Sequence, residues 1–137
     1  GMIKMSNLNR LEFRVRYSMT DHFGVVYYAR YLDWLEAGRT EILRDNDVSY
    51  ADFEKMGMFA PVVKLDVEYK KFARYDELVI VETKIEKIGN SSVEFSYRIY
   101  RKSDQTVIAI AKTVNVFITK EGEKVNVPDT VRKILDN

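Results

Sequence analysis

Along residues 11–17, Leu11, Phe13, Val15 and Tyr17 alternate with Glu12, Arg14 and Arg16, the period of two that marks a half-buried strand. Residues 19–24 break the alternation. From Tyr28 the period lengthens: Tyr28, Tyr31, Leu32, Leu35, Gly38, Arg39 and Ile42 fall on one face of a long helix, with Arg30, Asp33 and Glu41 turned away. Gly38 on the inner face would let another backbone come close. Ser49 is placed to cap a short helix over 50–55 that stops at Gly57.

Beyond Gly57 the chain reads as strands. Val63, Leu65, Val67 and Tyr69 alternate with charged residues; 77–88 is rich in β-branched residues and ends at the turn signal Gly89-Asn90-Ser91. Val93, Phe95, Tyr97 and Ile99 alternate up to Ser103-Asp104. Residues 106–119 are almost continuously apolar, as expected for a strand buried on both faces. A turn at Glu121-Gly122-Glu123, a short strand and a helix from about Pro128 follow. Successive hairpins imply an antiparallel sheet covered by the one long helix, in an α+β domain. That domain is expected over 9–137, preceded by a loosely held polar segment over 1–8.

The chain has 137 residues, which suits one domain burying roughly two thirds of its unfolded surface. Lys plus Arg number 22 against 21 for Asp plus Glu, so no overall charge points to nucleic acid or an anionic surface. Cysteine is absent and His22 is the single histidine, which removes thiolate nucleophiles, disulfides and multi-histidine metal sites. No apolar run reaches the length of a membrane span, and no signal-peptide core is seen, so a cytoplasmic location is expected. Gly1 ahead of Met2 reads as a remnant of recombinant expression. The six glycines form no phosphate-binding loop. His22 reads as a loop residue rather than part of a Ser-His-Asp set.

Asp21 is the carboxylate left to explain. An acidic residue ahead of a helix is commonly an N-cap. If the helix starts at 26–28, however, Asp21 lies too early to cap it, and Gly24 permits a tight turn that could fold the carboxylate over the free N–H groups of the helix start. Those donors at the positive end of a helix suit a developing oxyanion, and a carboxylate beside them can attack an acyl carbon or deprotonate a water that does. Both readings stand on the residues alone.

The run Tyr17-x3-Asp21-x2-Gly24-Val25-Val26-Tyr27-Tyr28-Ala29-Arg30-Tyr31, continued by Trp34-Leu35-Glu36-Ala37 and Arg39, resembles the signature of the 4-hydroxybenzoyl-CoA thioesterase family. Tyr69 and the segment Ala73-Arg74-Tyr75-Asp76-Glu77-Leu78 extend the likeness over nearly the whole chain. The resemblance implies the hotdog fold, an antiparallel sheet wrapped around one long helix, and hydrolysis of an acyl-CoA thioester to a free acid and coenzyme A. It implies that Asp21 is nucleophile or general base and that the Tyr28 backbone N–H polarises the thioester carbonyl. Related enzymes of the Tol-Pal type carry histidine where this chain has Tyr28, so a histidine-assisted route is not expected.

Tyr17 is expected to pack and orient near Asp21. Glu36 either pairs with Arg39 or Thr40 on the helix or lies by the acyl pocket. His22, Gly24, Val25 and Tyr31 are candidate substrate contacts. Lys70, Lys71 and Arg74, with Lys87 and Lys112, are candidates for the phosphates of coenzyme A, which enters as part of the substrate. The arginine pair of the hydroxybenzoyl enzymes is missing at Gly89-Asn90. Tyr27, Tyr31, Trp34 and Phe59 suit an aromatic acyl group or the core. No metal or separate cofactor is expected. The family's assembly implies a homodimer with joined sheets and sites between subunits, extending to a homotetramer. The rivals are a hotdog dehydratase or hydratase, for which His22 would be the partner of the carboxylate, and a non-catalytic acyl-thioester sensor.

Overall fold

The computed structural model describes residues 6–136. β1 (Asn9–Arg14) leads through two short 3₁₀ turns, Tyr17–Met19 and Tyr28–Arg30, into α1 (Tyr31–Arg44) and α2 (Tyr50–Lys55). Then come β2 (Met58–Phe59), β3 (Val62–Tyr69), β4 (Leu78–Ile88), β5 (Ser92–Arg101), β6 (Val107–Val116), β7 (Ile118–Thr119) and α3 (Asp129–Leu135). Five strands form one antiparallel sheet in the order β1-β4-β5-β6-β3, and β2 pairs with β7. This is the expected sheet wrapped around one long helix.

Local signals explain the element ends. Ser49 and Asp52 form a reciprocal capping box on α2, and Gly57 takes the left-handed conformation after it at φ +74°. Gly38 lets α1 lie against β4. A Cβ there would sit 2.2 Å from Thr83 Oγ1. The inner residues of β4 and β5, Val79, Val81, Ile85, Val93, Phe95 and Ile99, close the core beneath the helix.

Several expectations are corrected. α1 buries Trp34 and Leu43 in place of Tyr28 and Leu32. Tyr28 sits in the 3₁₀ turn, where three residues per turn shift its phase relative to the α-helix. The step from β3 to β4 is a crossover rather than a hairpin, carrying the chain between opposite sides of the β5-β6 pair. From Ala109 onward β6 is buried on one face: Ala109, Ala111 and Thr113 point to the core, while Ile110 and Lys112 are exposed on the outer face, which no layer among the described residues covers. Ile108, at the strand's start, is buried. The short strand after Gly122 is reduced to a single bridge, Ile118 to Lys124. Residues 1–5 of the supposed loose segment lie outside the described residues, but Ser6, Asn7 and Leu8 are tied down. Ser6 N–H donates to Asn46 Oδ1 at 2.9 Å, and Asn7 exchanges side-chain bonds with the Ile85 backbone.

Candidate active site

Asp21 opens a small hairpin. Thr20 bridges Val26, the Asp21 N–H donates to Val25 O at 2.9 Å and the Gly24 N–H donates to Asp21 O at 3.1 Å. Gly24 has φ +81°, the left-handed residue that a three-residue hairpin loop requires. Asp21 Oδ1 accepts from the Phe23 N–H at 2.8 Å and more weakly from the Val25 N–H at 3.4 Å. The aspartate therefore caps its own turn and not the helix, as Asp at the first position of such turns does. Among the described residues its other oxygen, Oδ2, has no partner.

The hairpin is fastened from both sides. The Tyr27 N–H donates to Met19 O at 2.9 Å, and the Val26 N–H donates to Ala73 O at 2.8 Å. Val25 bridges Arg74 on the crossover between β3 and β4. The Ala73 N–H in turn reaches the Tyr31 hydroxyl at 3.3 Å. The crossover thus clamps the hairpin that carries Asp21 and runs on through Tyr27 into the helix start.

That helix start carries free donors. Among the described residues the N–H groups of Tyr28 and Ala29 have no acceptor, as the first turn of a helix dictates. Tyr69 on β3 donates its hydroxyl to Tyr28 O at 2.8 Å, holding the peptide unit that carries the Ala29 N–H. The site therefore combines a turn-held carboxylate with oriented backbone donors, parts able to place negative charge and to receive it.

The other candidates divide. Tyr31 is buried among Trp34 and Tyr69, with ring centroids 5.0 and 5.1 Å away, and burial pushes its phenol up from the ordinary value. His22 is exposed at the hairpin tip, its ring 4.4 Å from that of Phe23. Tyr17 does not pack around Asp21. Its side chain is exposed and meets Tyr75 edge-on, because the 3₁₀ turn ends the strand alternation before it; its carbonyl accepts from Thr20. Glu36 is exposed and, among the described residues, has no bonded partner. The pair it was expected to form with Arg39 is not made, because Arg39 turns into the core.

Lys70, Lys71 and Arg74 stand exposed on the crossover, Lys70 paired with Glu68 at 3.1 Å. Lys87 and Lys112 are exposed on their strands. Trp34 is a core residue, while Tyr27 and Phe59 keep exposed faces.

Sequence reasoning missed the polar group under the helix. The Arg39 guanidinium donates to the Tyr97 hydroxyl at 3.1 Å, and that hydroxyl pairs with Thr113 Oγ1 at 2.6 Å. Burial pushes the Tyr97 and Tyr50 phenols up, and the neighbouring Arg39 charge opposes the shift. The inward position of Arg39 was a signal; its partners on β5 and β6 were not readable from the helix alone. Among the described residues no group of three or more acidic or histidine side chains could hold a metal ion, and no helix is long and apolar enough to cross a membrane.

The profile of the thioesterase-like superfamily matches residues 15–135, which include the hairpin, the helix and the whole crossover. The chain belongs to the thioesterase-like superfamily. Within this superfamily it is 36% identical over 118 residues to YneP of Bacillus subtilis (strain 168), named as a candidate acyl-CoA thioesterase, covering 86% of this chain and 85% of that one. It is 35% identical over 111 residues to the acyl-CoA thioesterase YbgC of Haemophilus influenzae, covering 80% and 79%. In three dimensions it resembles Slr0204, a 1,4-dihydroxy-2-naphthoyl-CoA thioesterase from Synechocystis, with a TM-score of 0.89 at 20% identity, covering 95% and 96% of the two chains. At that identity the likeness speaks for the fold. The fold is the hotdog fold.

Proposed function

We propose that this chain hydrolyses an acyl-CoA thioester to a free carboxylic acid and coenzyme A, in the manner of the 4-hydroxybenzoyl-CoA thioesterases. The observation that carries the reading is the Asp21 hairpin, clamped beside a helix start whose Tyr28 and Ala29 N–H groups are free. The superfamily supports the reaction class, and the names of YneP and YbgC support coenzyme A as the carrier.

In this mechanism the free oxygen of Asp21 either attacks the thioester carbonyl or takes a proton from an attacking water. The carbonyl oxygen gains negative charge as the carbon becomes tetrahedral, and the Tyr28 N–H receives it. Collapse expels the coenzyme A thiolate. In the nucleophilic route this leaves an Asp21–acyl anhydride that water then hydrolyses to the free acid. In the base route it gives the acid directly, while the proton held by Asp21 passes to the thiolate. The Arg30 N–H bond to Tyr27 O, at 2.9 Å, holds the peptide that carries the Tyr28 N–H, and Tyr69 holds the next one, so little reorganisation is needed when charge appears. The proposal includes no metal or separate cofactor, and the location proposed is the cytoplasm.

The second part of the proposal is a homodimer through β3, with dimers pairing into a tetramer. β3 is an edge strand, and the apolar side chains of Leu65 and Tyr69 on its inner face are exposed. An open edge of this kind invites pairing with another copy.

The test is a steady-state screen of short, long and aromatic acyl-CoA thioesters with wild type and Asp21→Asn. Wild type is expected to turn over at least one class, and the variant to lose about 10³-fold in kcat while still binding substrate. Unchanged turnover in the variant would refute the role of Asp21. Binding without turnover by wild type would favour an acyl-thioester sensor.

A further inference from the structure

We propose that the groove between the end of β1 and the β3–β4 crossover seats the nucleotide end of coenzyme A, with Tyr17 and Tyr75 as its aromatic corner and Arg16 as its phosphate contact. This assignment rests on the acyl-CoA reading above and adds to it residues that neither the catalytic chemistry nor the lysine candidates supply.

The groove is open, about 600 Å³, and lies beside Phe13, Arg14, Arg16, Tyr17, Met19 and Tyr75. Tyr17 is 77% exposed and Tyr75 55%, large ring surfaces left in water without a core to fill. Their centroids are 5.7 Å apart and their planes meet at 84°. A purine lying flat on one ring would present its edge to the other, satisfying both preferred aromatic geometries at once.

The charges around the groove leave one cation over. Arg14 donates to the Asp76 carbonyl at 2.8 Å and approaches its carboxylate at 3.4 Å. Glu12, which also lines the groove, is taken by Lys102. Arg16 is exposed and, among the described residues, has no acidic partner. Its fork of donors matches a phosphate. The two carboxylates of the groove are thus engaged with other cations, and the unpaired charge is the one a nucleotide needs.

The groove also lies within reach. Tyr17 is four residues from Asp21, so the chain between them spans at most about 14 Å. The 3₁₀ turn tightens it further, since the Thr20 N–H folds back to Tyr17 O at 3.0 Å. An extended pantetheine arm bridges that distance. Tyr75 belongs to the same crossover that clamps the Asp21 hairpin, so one segment would hold both ends of the substrate.

The experiment compares one acyl group presented on coenzyme A and on pantetheine, which lacks the nucleotide, using wild type, Tyr75→Ala and Arg16→Ala. The acyl group is drawn from a short, long and aromatic panel. Both variants are expected to lower the ratio of kcat/KM for the coenzyme A ester to that for the pantetheine ester about tenfold, mainly through KM. A ratio equal to that of wild type overturns the seat while leaving the hydrolase reading intact. Hydrolysis of neither ester by wild type overturns the hydrolase reading and the seat with it.

Discussion

In β4 the inner residues Val79, Val81, Thr83 and Ile85 face helix α1 and are at most 1% exposed, whereas in β3 the inner residues Leu65 and Tyr69 keep 43% and 42% of their surface in water. Both strands alternate in the same way, and both lie in the same sheet. They differ in what stands over them. α1 runs across β1, β4 and β5 and leaves β3 at the open edge. The closed half of the molecule therefore supplies stability. In the open half, Tyr69 holds the helix-start peptide, and the crossover that follows β3 holds the Asp21 hairpin. An apolar face that Tyr31 covers only in part, at Tyr69, is the form expected of a surface that a substrate or a second copy completes.

The sharpest way to break this division is at Asp21. Asn keeps an oxygen that can accept from the Phe23 N–H and is equally favoured in the turn. Asp21→Asn should therefore melt like wild type and lose about 10³-fold in kcat, about 4 kcal/mol of barrier. Asp21→Ala should lose as much activity and, in addition, about 1 kcal/mol of stability with the turn cap. Comparing thermal unfolding and turnover of the two variants separates the turn role from the chemical one. If Asn costs as much stability as Ala, the carboxylate charge is holding the hairpin, and the division between halves fails there.

In the closed half the expected effect is smaller and falls on stability. Gly38→Ala would place a methyl 2.2 Å from Thr83 Oγ1 and 3.5 Å from Val81 Cγ1. Overpacking of this kind costs about 1–3 kcal/mol, and the gain in helix propensity returns about 1 kcal/mol. The net is a loss of about 1 kcal/mol in denaturant unfolding. Thr83 Oγ1 is buried without a hydrogen bond, so Thr83→Ala opens the space at the cost of little more than packing. In that background Gly38→Ala should change sign and stabilise. A loss of the same size with and without Thr83 would mean that the helix backbone, not the side-chain contact, resists the substitution.

Which parts of this were legible in the sequence follows from the range of each interaction. The Ser49 cap, the stop at Gly57 and the alternations of β3, β4 and β5 act within a few residues and stand where the pattern placed them, whereas the first alternation ends at Arg14, before Tyr17. Asp21 and Gly24 were visible as a turn for the same reason. The clamp on that turn was not, because Ala73 and Arg74 are some fifty residues away and alternation does not name a strand's neighbour. The crossover from β3 to β4 was missed on the same ground. The apolar run in β6 overstated burial because Ile110 and Val114 belong to the outer face, where composition alone cannot show the missing layer. Arg39 was placed on the inner face correctly, but its phenol partners come from other elements.

The smallest expected effect on the single chain is the one that tests the open half most directly. Leu65 lies opposite Thr113 on the inner face of β3, already 43% exposed, and among the described residues the far edge of the strand has no neighbour. Leu65→Lys should change the stability of the monomer by about 0.5 kcal/mol or less, since surface positions seldom cost more. A lysine on an open edge strand opposes pairing with a second copy. Sedimentation at micromolar concentration should therefore show wild type as a dimer or tetramer and the variant shifted toward monomer. A wild type that sediments as a monomer would remove the second copy as the cover of β3. A variant that stays assembled would move the interface to another face, such as the outer side of β6, where Ile110 is exposed. Unfolding at a concentration where both proteins are monomeric then decides whether Leu65 does structural work inside one chain, and the comparison with β4 requires that it does little.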